Sequence, residues 1–349
     1  MGDVAMMVPV VASLAKQYPQ LRITVLSRPF ARTFFNNIAP NVGFMEAEVR
    51  KEYHGVHGLN ILYRRLAAKH FTAIADMHDV LRSKYLRLRF NLDQYRVEHI
   101  DKHRKEKRQL TADRDKVLKP LPTSFDNYAD VLRRLGYPIT YDFQSIFPPS
   151  GGNLRLLPPE IGEKQAQEQW IGIAPFAAHQ GKIYPVEKTE RVISTLIDHY
   201  PDCRIFLFGG GPTEKPQLDA WEQKFHNCIN ASEKLNGMDE ELVLMSHIDA
   251  MLTMDSGNMH LASLVGTPVV SIWGATHPYA GFMGWGQQEE NILQVTLPCR
   301  PCSIYGNKPC LRGDYACLNL IEPEAVVQKI EKLLQDKPRP AVGNQRKEP

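Results

Sequence analysis

The chain has 349 residues, 43% of them hydrophobic, and a formal net charge of +3. That length points to two domains with a sizeable core, and the near-neutral balance argues against a dedicated nucleic-acid binder. No apolar run approaches the length of a membrane-spanning helix, and the start has neither a charged nor an apolar leader region, so a soluble cytoplasmic protein is expected.

The first half alternates helix-like and strand-like segments. Residues 4–16 carry a helical pattern with Pro9 near its first turns. Residues 21–27 read as a strand and 29–36 as a helix. A buried strand is predicted at 71–76, a helix at 80–90 and a third strand at 95–100. A basic run follows from Lys102 to Arg108, and 124–135 is helical up to Gly136. Residues 145–168 are rich in Pro and Gly and mark a domain boundary. The predicted division is 1–150, 151–335 and a polar, disordered tail at 336–349.

The second half repeats the alternation more cleanly. Strands are predicted at 170–175, 203–208, 250–254 and 269–274. Helices are predicted at 187–199, 213–225, 239–247, 259–265 and 323–334. Such alternation implies an α/β protein with two Rossmann-like domains, mainly parallel sheets and a cleft between them. Ligands then bind beyond the carboxyl ends of the strands.

The most informative stretch is Asp255-Ser256-Gly257-Asn258-Met259-His260. A strand ends there in a small-residue turn and a helix begins, so free backbone N–H groups form an anion site. His260 lies about one turn inside, where its ring can face the same anion. An ordinary turn capped by Asp or Ser fits the stretch equally well. Three more segments should reach the same sheet edge: 175–185 with Ala178 and Lys182, 209–214 with Glu214, and 235–238 with Met238. Together they offer what a nucleotide diphosphate needs. Lys182 alone reads as a solvated lysine, and the Gly209 triplet lacks the spacing of a dinucleotide fingerprint.

Taken with Met1-Gly2-Asp3-Val4-Ala5, Asp76 with Arg82-Ser83, and Lys182 with Pro185, these motifs make the chain resemble the heptosyltransferase family of glycosyltransferases over roughly residues 1–334. The resemblance implies a GT-B fold and an inverting transfer from ADP-heptose to a lipopolysaccharide core or lipid A acceptor at the inner membrane surface. It implies Asp3 as catalytic base and Lys182 as the phosphate-binding lysine. Asp255, Ser256, Gly257 and His260 would lie at the donor diphosphate, Glu214 at the ribose and Met238 at the adenine. It implies no cofactor for catalysis. The alternatives are a GT-B nucleotide-sugar epimerase, or a catalytically inactive protein that binds nucleotide sugars in core assembly. Asp3 also reads simply as a helix N-cap. The family carries an apolar central strand ahead of its Gly-Asp pair. Here that strand is absent, so the expectation is a start upstream, with Met1 internal.

Two further features remain. Cys299, Cys302, Cys310 and Cys317 open with C-x-x-C, which fits a structural zinc site or a loop of reduced thiols. The basic run at 102–108, with Arg64, Arg65, Arg82 and Lys84, is expected either to meet an acidic glycolipid acceptor in the first domain or to be a solvated face.

Overall fold

The computed structural model describes residues 1–336 apart from Asn37, so the expected tail beyond Asp336 lies outside the described residues. In the first half, strands β1 (Ile23–Ser27) and β2 (Val42–Glu46) pair in parallel, Ile23 with Val42 through Ser27 with Glu46. Strands β3 (Ala73–Asp76) and β4 (Arg96–His99) form a second parallel ladder.

Two helical layers cover both ladders. On one side Met6, Val10 and Leu14 join Phe125, Tyr128, Val131 and Leu132, and both Ile23 and Ala73 pack against them. On the other side Leu62, Tyr63, Leu66 and Phe90 take Leu26, Ile74 and Val97. The strands β1 and β3 therefore share one layer, yet among the described residues no strand joins them.

The expected helix at 4–16 is two helices, Gly2–Ala5 and Val8–Gln17. Pro9 has no N–H to give the Ala5 carbonyl, so the first helix stops and a second begins with proline in its first turn. The expected helix at 29–36 is a 3-10 turn, Pro29–Ala31, followed by Arg32–Phe35. Strand β2 and the helix Gly55–Ala67 were not among the predicted elements. Gly43 breaks the β2 pattern. The helix did carry a legible stripe, since Leu59, Leu62, Tyr63 and Leu66 are all buried at helical spacing. The basic run also forms a helix, Arg104–Leu110, with Leu110 buried.

The second half holds strands β5 (Trp170–Ala174), β6 (Arg204–Leu207), β7 (Cys228–Asn230), β8 (Ala250–Met254), β9 (Val269–Ile272) and β10 (Ile292–Leu293). They form one parallel sheet in the order β10-β9-β8-β5-β6-β7. Every residue of β5 and β8 is buried, as expected of a parallel sheet covered on both faces. Val192, Ile193, Leu196, Val326 and Ile330 cover one face. The other face belongs to a cluster that runs from Trp170, Phe206 and Met259 across to Ala5, Val8 and Phe34 of the first half. Backbone bonds also tie the halves: Leu121 N–H to the Tyr279 carbonyl at 2.9 Å and Ser124 N–H to that of Gly281 at 2.9 Å.

The unpaired edges of β1 and β3 are a place where an added strand can pair. Met1 lies against the start of the helix Gly257–Leu264. Adding five residues rich in Val and Ile ahead of Met1 is expected to raise the thermal midpoint by several degrees, about 1 kcal/mol or more. An unchanged midpoint in differential scanning calorimetry would show that the two ladders leave no room between them.

Candidate functional site

The strand order reverses between β5 and β8, which places the loops after these two strands side by side. After β5 the chain makes a 3-10 turn, Gln180–Lys182. After β8 it turns through Asp255-Ser256 into the helix Gly257–Leu264. The Lys182 ammonium bridges them. It donates to the Asp255 carbonyl at 2.7 Å and stands 2.9 Å from the Asp255 carboxylate, which is nearly fully buried.

Ser256 occupies the N-cap position in extended backbone, but no side chain caps the helix. Its Oγ is buried without a hydrogen-bond partner. The amides of the first turn therefore have no side-chain cap and stay available to an acceptor. His260 lies below them, only 7% exposed, with its Nδ1 also unpartnered. Burial lowers the His260 pKa to about 4, although the Asp255 and Asp3 carboxylates pull the other way. The imidazole is thus neutral at pH 7.

Asp3 faces this cluster from the first half. It sits in the first turn of the helix Gly2–Ala5, whose N-cap is Met1 and not Asp3. A β-carbon on Gly2 would lie 2.9 Å from His260 Cδ2, so the Gly-Asp pair rests directly on the histidine ring. The Tyr128 hydroxyl donates to the Asp3 carbonyl at 3.2 Å and fixes its backbone.

Basic groups complete the surroundings of Asp3. Burial, with Lys102 next, lowers the His78 pKa, and the Asp3 and Asp76 charges oppose this. Burial also brings Lys107 down to about 8; its ammonium lies 4.4 Å from the centre of the Phe282 ring. This wall is braced by carboxylates. Asp76 accepts the His78 and Asp79 amides at 3.0 Å and pairs with Arg87 at 3.1 Å. Buried Asp79, in left-handed backbone, holds Arg87 at 3.2 Å and Arg104 at 2.7 Å.

The structure thus brings Asp3, Lys182, Asp255, Ser256, Gly257 and His260 together. Glu214 instead turns back on its own loop, accepting the Gly210 N–H at 3.1 Å. Met238 opens the helix Met238–Met245 and leans on the apolar core, and Ala178 is exposed on the loop after β5. Arg82 contributes to the field at His78, and Lys84 is 3.8 Å from Asp79. Arg64 and Arg65 are exposed on the last turn of the helix Gly55–Ala67; Arg65 turns to Tyr53 and Glu52 in a groove beside β2.

The zinc expectation for the cysteines needs correction. All four are free thiols around a cavity of about 40 Å³. Among the described residues, however, no three His, Cys, Asp or Glu side chains converge as a metal set. Arg300, a buried cation, lines the same cavity as the thiols. His78, Lys107, Tyr128 and Phe282 were missed by sequence reasoning. Only Lys107 carried a signal, as part of the basic run.

The lowered His260 pKa sets a stability dependence. An unfolded histidine takes its proton near 6.5, whereas His260 in the fold resists it until about 4. Acid therefore favours the unfolded chain, and stability falls as pH drops from 6.5 toward 4, by roughly 3 kcal/mol at full extent. His277, also lowered to about 4 by burial, acts in the same window. His260→Gln is expected to remove part of this slope in thermal midpoints measured from pH 7 to 4. An unaltered slope would contradict a buried neutral imidazole.

Comparison with known proteins matches these features to one family. The family model for glycosyltransferase family 9 (heptosyltransferase) matches residues 60–309. Lipooligosaccharide heptosyltransferase 2 of Campylobacter jejuni is 31% identical over 132 residues, 37% of this chain and 40% of that protein. The match therefore spans well under half of that relative. The glycosyl transferase family 9 structure from Veillonella parvula superposes with a TM-score of 0.72 at 20% identity, covering 97% of this chain and 95% of that one. The E. coli ADP-heptose lps heptosyltransferase II structure gives 0.65 at 16% identity, covering 95% of each chain. At these identities the superpositions establish the fold, which is GT-B. The chain belongs to glycosyltransferase family 9, the heptosyltransferase family.

Proposed function

We propose that the chain is an inverting glycosyltransferase that moves a heptose, or a related sugar, from ADP-heptose to a lipopolysaccharide core acceptor. The observation that carries this reading is the juxtaposition of Lys182 and the uncapped helix start at Ser256-Gly257 with Asp3 across the cleft. The name of the E. coli structural neighbour supports ADP-heptose as donor. In this reading the division at residue 150 separates an acceptor side from a donor side, and the basic wall around His78, Lys102 and Lys107 meets the acidic acceptor.

The chemistry follows from the charges. The Asp3 carboxylate takes the proton of an acceptor hydroxyl as its oxygen bonds to the anomeric carbon. The bond from that carbon to the donor phosphate breaks, and ADP leaves with the electron pair. Attack opposite the leaving group inverts the anomeric configuration. The charge gathering on the diphosphate is met by the Lys182 ammonium and the free amides of the helix start, both in place beforehand. The neutral His260 can donate a hydrogen bond to the diphosphate without adding charge. Asp255 holds the lysine and takes no proton.

Two variants separate these roles. Asp3→Asn is expected to lower kcat by about 10²–10⁴-fold while ADP binding stays close to that of the parent. Lys182→Ala is expected to weaken both ADP affinity and turnover. Release of ADP from ADP-heptose with a core acceptor is the assay, with calorimetry for binding. An Asp3→Asn protein with parental turnover would remove Asp3 as base. Tight ADP-heptose binding with no turnover by the parent chain would favour the binding-protein reading.

A further inference from the structure

The cysteine-bearing loop has no part in the chemistry above, yet it touches Lys182. Gly306 stands in left-handed backbone at φ +74. A β-carbon there would lie 2.6 Å from Lys182 Cγ and 3.2 Å from Cδ. The lysine's alkyl stem therefore rests on the bare backbone of residue 306. The packing behind it is equally close. A β-carbon on Gly181 would lie 2.9 Å from the Gly306 carbonyl oxygen, and one on Gly274 would lie 2.5 Å from that of Gly181. Three backbone segments are stacked where only glycines permit it.

These segments are also bonded to one another. The Ala275 N–H donates to the Gly181 carbonyl at 2.8 Å, and the Cys302 N–H to the Ala275 carbonyl at 3.1 Å. Arg300, 5% exposed, donates to the carbonyls of Gly274 at 2.5 Å, Trp273 at 3.0 Å and Thr276 at 2.9 Å. From the first half of the chain, Lys116 donates to the Cys299 carbonyl at 2.8 Å and that of Pro301 at 3.0 Å. The loop is thus anchored at one end, and its Gly306 turn reaches the lysine at the other.

We propose that the loop at 299–317 positions Lys182, with Gly306 as the contact through which it acts. This rests on the reading of Lys182 as the group that meets the donor diphosphate. A lysine stem has four rotatable carbons, and an ion pair to Asp255 fixes only its tip. Backbone packed along the stem removes the remaining rotamers before the donor arrives, so less order is lost on binding. Gly306 is a positioning residue and touches no substrate.

The test is a double-mutant cycle on the full chain, with ADP as the probe in calorimetry and ADP release as turnover. Gly306→Ala is expected to weaken ADP binding about tenfold, as displacement of a binding group does. Lys182→Ala should weaken it at least as much, and the double variant should bind no worse than Lys182→Ala, because both changes act through one group. Thermal midpoints give a second readout. The loss caused by Gly306→Ala should shrink in the Lys182→Ala background, where the methyl no longer meets the stem, and this comparison serves even if the single variant folds poorly. Additive losses in affinity, or an equal thermal loss in both backgrounds, would overturn the proposal. Weak ADP binding by Lys182→Ala alongside parental binding by Gly306→Ala would overturn it while leaving the lysine's role intact. Parental ADP binding by Lys182→Ala would instead overturn the role assigned to the lysine, and the proposal with it.

Discussion

The ion pair between Lys182 and Asp255 is the constraint on which the site depends. Asp255 is buried at the end of β8, where an unpaired carboxylate would be costly. The lysine that neutralises it comes from the loop after β5, and those two loops meet only because β5 and β8 are neighbours in the sheet. The pair is weak evidence for stability, since desolvation offsets much of its attraction. Its consequence is geometric. It sets an ammonium beside a helix start whose amides have no side-chain cap, and so builds positive potential at one point of the cleft floor.

The opposing surface is organised by the same economy of charge. Asp79 is buried, and burial pushes its carboxyl up. Arg104, Lys84 and Arg87 outweigh that and hold it below the usual carboxylate range. These bonds join the start of the helix Leu81–Leu92 to the start of the helix Arg104–Leu110. The segment that carries Lys102 and Lys107 is therefore anchored on the side of Asp3, while Lys105 and Arg108 of the same run stay exposed. Between the two walls lies a neutral histidine, within the field of the Asp3 carboxylate on one side and of the Lys182 ammonium on the other.

The clustering of Lys182 with Asp255, Ser256 and Gly257 was legible because it follows from sheet topology. Asp255-Ser256-Gly257 and Lys182 each stand just after an apolar strand, and parallel strands deliver such loops to one edge. The lost elements fail for local reasons. Strand β2 hides behind Gly43, and the first helix divides at Pro9. The basic run was legible as charge, but its placement beside Asp3 was not, because that placement comes from the ion pairs of Asp76 and Asp79, which have no periodicity. The contact of Gly306 with Lys182 spans over a hundred residues and leaves no mark in either local sequence.

The cysteines show why spacing alone misleads. A thiolate is the form that binds a metal, and a C-x-x-C opening raises that expectation. Here burial raises Cys302, and it raises Cys317 to about 11 despite the nearby Arg300. At neutral pH both are protonated, and Cys317 packs with Leu318 and Ile321 as an apolar side chain. The loop is framed by other means. A buried guanidinium gathers the carbonyls of Trp273, Gly274 and Thr276, and a lysine from the first half gathers those of Pro298, Cys299 and Pro301. Both are cations satisfied by backbone oxygens, the arrangement that lets a largely irregular loop hold one shape. A loop held so firmly at its base can press a single glycine against the stem of Lys182.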